Sequence, residues 1–128
     1  MSDQDHAESI LEAARRDLRA LRAMDDAVAF SDEIVGFHAQ QAVEKALKAW
    51  LAYLGVAFPK THDLQRLLDL LREKGIATEA METFVDLNAF AVQYRYETLY
   101  DNEEPVDRLA LTERIESLIH QVAVAIQR

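Results

Sequence analysis

FHAQQAVEKALKAWLAYL, Phe37 to Leu54, decides the fold. Wound as a helix at about 100° per residue, its Ala42, Val43, Ala46, Leu47, Ala49, Trp50, Leu51, Tyr53 and Leu54 cover an arc of roughly 200°. A helix that apolar must be wrapped by other helices. The remaining arc carries His38, Gln41, Lys45 and Lys48, gathered by their i, i+3, i+7 and i+10 spacing into one narrow polar stripe. Such a seam is either half solvated or aimed at something.

Upstream, Ser31 is placed to cap this helix, its hydroxyl accepting from the free amides of the first turn. Gly36 falls inside the helix at a cost of about 1 kcal/mol relative to Ala, which a close approach by another helix would explain. Gly55 closes the helix, because glycine accepts positive φ. An earlier helix is expected from about His6 to Asp25 on the periodicity of Ile10, Leu11, Ala14, Leu18, Leu21 and Met24. Arg15, Arg19 and Arg22 share one face of it. With Glu12 one turn before Arg15 and Arg16, and Asp17 beside them, that face reads as solvated and salt-bridged, with a phosphate- or partner-binding stripe as the alternative.

Downstream, Val56 to Thr61 is a short connection stiffened by Pro59. Thr61, His62 and Asp63 open a third helix to about Lys74, with Leu64, Leu67, Leu68 and Leu71 as its buried stripe and Gly75 as its stop. Thr78 is expected to cap a fourth helix running to about Tyr96, with Glu79 in its first turn. Met81, Phe84, Val85, Asn88, Ala91, Val92 and Arg95 share one broad face of it, and Leu87, Phe90 and Tyr94 form a second apolar stripe. Leu99 to Glu104 is a polar, acidic loop. Pro105 suits the first turn of a last helix, whose stripe is Leu111, Ile115, Leu118, Ile119, Val122 and Ile126. The expectation is all-α: one domain over 1–128, a five-helix antiparallel up-and-down bundle.

Half of the 128 residues are hydrophobic, and three Gly and two Pro leave few turns. That length suffices for a sizeable core. With no Cys, disulfides and thiolate metal sites are excluded. The charged first thirty residues hold no signal-type apolar run, and nothing approaches the roughly 20 apolar residues of a membrane span. A cytoplasmic protein is expected. A net charge of -9 argues against a general nucleic-acid binder and against DNA, leaving room for a small basic site. His6, His38, His62 and His120 never pair at helical ligand spacing, so no metal is expected. Three scattered glycines build no phosphate loop, and no cofactor is expected.

Arg95 is the most unusual position. It follows Phe90, Ala91 and Val92, is flanked by Tyr94 and Tyr96, and shares a face with Asn88. A guanidinium on a mostly buried face needs anionic or carbonyl partners. Either it pairs with an acid such as Glu44, Glu97 or Asp101, or it binds a phosphate bidentately. His62 either belongs to a helix-capping Thr-His-Asp run or reaches the seam of the central helix.

QQAVEKALKAWL at Gln40–Leu51, followed by GVAFPKTHDLQRLL at Gly55–Leu68, closely resembles the HEPN family (higher eukaryotes and prokaryotes nucleotide-binding). Its signature is a Gln-x-x-x-Glu-Lys-x-x-Lys helix, a short Gly/Pro connection and Thr-His-Asp-Leu. Gln40 or Gln41, Glu44, Lys45, Lys48, Pro59, Thr61, His62 and Asp63 fall in place, and FAVQYRYE at Phe90–Glu97 looks like the second motif region. The resemblance covers about Ala7 to Ile126. It implies an all-helical bundle, usually a homodimer, with a cleft where two copies of the arginine motif meet. Many members act beside a minimal nucleotidyltransferase, as toxin–antitoxin pairs or as substrate-binding subunits. The toxins are metal-independent ribonucleases whose motif is Arg, four to six residues, then His.

Here the chain departs from the family. After Arg95 the permitted positions hold Tyr100, Asp101 and Asn102, and no His. A Tyr, with an unperturbed pKa of about 10, is a poor base at neutral pH. The resemblance therefore implies a nucleotide- or substrate-binding subunit with Arg95, Lys45, Lys48, His62, Gln41 and Asn88 as ligand residues. The alternatives are a divergent ribonuclease using Arg95 with Tyr100 or Asp101, and a non-catalytic helical interaction module. Since a tyrosine near the motif is adenylylated in some members, Tyr94, Tyr96 and Tyr100 are candidates for modification.

Overall fold

The structure is a computed structural model, which describes residues 2–93 and 106–127. Among the described residues it is all helical: α1 (Asp3–Ala23), α2 (Asp32–Tyr53), α3 (Leu64–Glu73), a 3₁₀ segment (Glu79–Leu87), α4 (Asn88–Gln93) and α5 (Arg108–Ile126). No described helix is long and apolar enough to cross a membrane.

α2 is the axis. Thirteen of its residues are buried, from Val35 to Ala52, which over its 22 positions requires neighbours on most sides. It packs against α1, α3, α4, α5 and the 3₁₀ segment. Alanines at 39, 42, 46, 49 and 52 keep its surface low, and α1 meets it with a stripe of Ala7, Leu11, Ala14, Leu18 and Leu21. Short side chains on both helices let the backbones approach closely. Chain direction follows from the contacts. Asp3 at the start of α1 lies beside Gly55, just past the end of α2, whereas Asp17 further along α1 meets His38 in the first half of α2, so these two helices run antiparallel. Gln4 at the start of α1 donates to the Ile126 carbonyl at the end of α5, so α1 and α5 are antiparallel too. Arg108, the first residue of α5, holds the connection between α1 and α2: its guanidinium donates to the carbonyls of Met24 and Phe30 and to Asp32.

The helix stops behave as their chemistry dictates. Ser31 accepts from the Ile34 amide, and Gly55 and Gly75 sit at φ 72° and 84°. α1 begins earlier than expected because Ser2 and Asp5 form a reciprocal capping box, a Ser-x-x-acid signal present in the sequence. α5 is capped by Asp107, whose carboxylate accepts from the Ala110 amide.

The fourth element differs from the expected continuous α-helix. Thr78 makes no capping bond. Its hydroxyl donates to Glu82 and accepts from Arg72 of α3. The chain then runs as 3₁₀ helix to Leu87 before α4 begins. Met81, Phe84, Leu87 and Phe90 are the buried apolar residues of this stretch, spaced by three. Three residues per turn aligns that row on the core, where 3.6 would rotate it away.

Gly36 explains itself at Phe90. A Cβ on Gly36 would lie 2.3–2.5 Å from three ring atoms of Phe90, a ring that is 93% buried at 7% exposure. The missing side chain is the seat of that ring. Gly36→Ala gains about 1 kcal/mol of helix propensity but overpacks a filled contact at about 1–3 kcal/mol. The expected outcome by urea unfolding is a net loss of about 1 kcal/mol in wild type. In a Phe90→Ala background the same substitution becomes neutral or stabilising.

Candidate functional site: a buried carboxylate beneath a clamped histidine

α2 turns two polar clusters toward its neighbours. In the first, Lys45 reaches Asp17 at 2.7 Å and His38 Nδ1 lies 3.3 Å from the same carboxylate. Asp17 is thus drawn into the α1–α2 interface. The expected arginine–acid ladder on α1 loses it, and the Glu12 contact there is a 3.9 Å approach to Arg19.

The second cluster centres on Glu44, which is only 4% exposed. A carboxylate at that depth is very costly unless ion pairs and hydrogen bonds satisfy it. Lys48, one turn on, donates to it at 2.9 Å. Gln40, one turn back, donates at 3.2 Å, and Gln41 at 3.4 Å. His62 Nδ1, from the connection between α2 and α3, lies 2.9 Å from Glu44 Oε1. A carboxylate already accepting from a lysine can only accept here, so Nδ1 carries the proton.

Gln40 completes the arrangement. Fully buried, it also donates to the His62 backbone carbonyl at 2.8 Å and accepts from Gln41 at 2.8 Å. His62 is therefore fixed twice, by backbone and by ring, through two buried side chains one turn apart on α2. Its own side chain is 61% exposed. With Nδ1 occupied, Nε2 is the free nitrogen, and a neutral ring offers it as an acceptor. Surface histidines are seldom held so tightly. The adjoining residues extend the anchorage: Asp63 caps α3, Thr61 accepts from the Asp63 amide, and Asn88 of α4 accepts from the Leu64 amide while donating to Asp63. No buried side-chain nitrogen or oxygen among the described residues lacks a partner.

Of the residues singled out from sequence, the structure brings Gln41, Lys48 and His62 together on Glu44. Lys45 sits one turn before Lys48 on Asp17. Lys48 also lies 5.8 Å from the Phe58 ring centroid. Both lysines are thus matched by a carboxylate, which leaves the seam close to neutral. Asn88 spends its amide on the start of α3. Glu44, weighed above as an acid for Arg95, is the organising group of the seam itself. Arg95, Tyr94, Tyr96, Tyr100 and Asp101 lie outside the described residues. Among the described residues, no three metal-ligating side chains converge.

Removing Glu44 leaves the mostly buried ammonium of Lys48 and the ring N–H of His62 without their acceptor, while the Gln40 and Gln41 amides keep only their second partners. Glu44→Ala is expected to cost about 3 kcal/mol in urea unfolding. Glu44→Gln keeps one acceptor oxygen and should cost less. Equal, negligible losses for both would mean that the carboxylate is not a structural centre.

A family model for the HEPN domain matches residues 6–123. No curated protein and no solved structure matches the chain. The matched span runs from α1 through most of α5 and takes in Gln40, Glu44, Lys48 and His62, and on it the chain belongs to the HEPN domain family.

Proposed function

We propose that this protein is the nucleotide- or substrate-binding subunit of a two-component system, acting in the cytoplasm beside a minimal nucleotidyltransferase, with no ribonuclease activity of its own. The observation that carries the reading is the clamped imidazole of His62, whose free nitrogen faces solvent next to Lys48 on a HEPN scaffold. A fixed acceptor of this kind suits a ribose hydroxyl, which donates to it, and in the protonated ring the same nitrogen would donate to a phosphate; either way it orients the ligand at little entropic cost. Arg95 would supply the guanidinium, which grips phosphate bidentately. The family's homodimeric habit fits this role, since two copies bring two arginines to one cleft. In a toxin–antitoxin setting the chain would be the toxin-like component.

The absence of a histidine four to six residues after Arg95 supports binding over cleavage. His62, held by Glu44, is the described imidazole that keeps a ribonuclease reading alive as the alternative, together with Arg95 and Tyr100 or Asp101. One experiment separates the two. Purified protein, wild type beside Arg95→Ala and His62→Ala, is incubated with total RNA in EDTA, and ATP binding is measured by calorimetry. The expected outcome is intact RNA and ATP binding weakened about tenfold in each variant. Cleavage without metal that disappears in Arg95→Ala would overturn the binding-subunit reading. No ATP binding, together with no association with a nucleotidyltransferase encoded beside it, would reduce the protein to a helical interaction module.

A further inference from the structure

The arginine face of α1 meets α5 across a cleft of about 320 Å³ lined by Arg15, Leu18, Arg19, Arg22, Glu116, Ile119, His120 and Ala123. Its floor and its rim differ in kind. Leu18 and Ile119, both nearly buried, and Ala123 make the floor apolar. The rim carries three guanidiniums and one imidazole against a single carboxylate. In a chain whose net charge is -9, this is a local inversion of sign.

The cations are poorly matched. Arg22 pairs with Glu116. Arg19 meets Glu12 only at 3.9 Å, with both side chains substantially exposed, a contact worth little. Arg15 and His120 have no hydrogen-bonding or ionic partner among the described residues. Asp17, the acid next in sequence to Arg16, is turned away to Lys45 and His38. Arg15 also lines a second hollow of about 200 Å³ with Glu8, Leu11 and Ala123, so it stands where the furrow between α1 and α5 continues.

From this geometry we infer that the α1–α5 cleft is a second anion site, separate from the Glu44–His62 seam, that takes a small phosphate monoester with a planar or apolar body. Arg15 and Arg19 hold the phosphate by charge-assisted N–H donation. His120 adds a ring N–H, and the body of the ligand covers Leu18, Ile119 and Ala123. The volume lies at the small end of ligand pockets, about 300–1,000 Å³, which favours a mononucleotide-sized molecule over a polymer. The surrounding negative surface disfavours a long polyanion for the same reason that it disfavours DNA.

AMP and inorganic phosphate are the probes. NMR titration should move the His120 ring signals, whatever AMP does at the His62 seam, with AMP binding tighter than phosphate at this cleft because only AMP covers the floor. Read through the His120 signals, Arg15→Ala/Arg19→Ala should weaken AMP at this cleft about tenfold or more, whereas His62→Ala should leave the His120 response unchanged. Glu116→Gln removes the carboxylate that competes for Arg22 and should tighten AMP binding. Arg19 and Glu116 are exposed and Arg15 is half-buried, and circular dichroism of each variant checks that the fold is kept. AMP binding that is unchanged in the double variant, or His120 signals that never move, would overturn the site. So would a double variant that alters sedimentation mass but not AMP affinity, which would make the furrow a contact between copies of the chain.

Discussion

Everything in this bundle is arranged around a carboxylate in the wrong place. Glu44 lies on the most buried helix of the chain, where an isolated charge would be expelled or neutralised. It is kept by Lys48, His62, Gln40 and Gln41, three of them within one turn on the same helix. Replacing such a network with leucines would leave a bundle that packs at least as well. What the network adds is position: it fixes the start of α3 relative to α2, and it leaves one imidazole standing in solvent with its ring plane and proton assigned.

The rest of the architecture serves that axis. Alanines let α1 lie close against α2, Gly36 makes the seat for Phe90, and Arg108 holds the far connection. Asp17 and Glu44 divide the polar stripe between them, one facing α1 and the other the turn into α3. The two lysines expected as ligand residues are halves of ion pairs. Within the described seam, the ring nitrogen of His62 that does not face Glu44 is the polar group left over once both lysines are paired. Arg15 and His120, which have no partner among the described residues, lie elsewhere, on the α1–α5 furrow.

How far the sequence could be read depends on whether local or tertiary chemistry governs each element. α2 was legible because its apolar arc is too wide for any surface helix, and Gly36 because only close packing justifies a glycine there. Gly55, Gly75 and Ser31 are local signals, and they acted locally. The Gln-x-x-x-Glu-Lys-x-x-Lys and Thr-His-Asp residues were recognisable as a family pattern, but their purpose was not. Nothing in the spacing says that Gln40 holds the backbone of His62 while Glu44 holds its ring. The 3₁₀ segment was misread because the choice between three and 3.6 residues per turn rests on partners. Glu82 and Arg72 take the Thr78 hydroxyl that would have capped an α-helix. Asn88 shows the same dependence on partners: nothing in the sequence says that it accepts from the first amide of α3. Asp17 looked like part of an arginine ladder, yet a half-buried lysine across the interface offers a carboxylate more than an exposed arginine does.

The central claim is that Glu44 sets the protonation geometry of His62. Long-range proton–nitrogen NMR correlation reads it directly, at a pH where the ring is neutral. The account predicts one tautomer for His62, with the proton on Nδ1 and a bare Nε2, and a loss of that preference in Glu44→Ala, which removes the acceptor. A ring protonated on Nε2, or one averaging between tautomers like a free surface histidine, would contradict it.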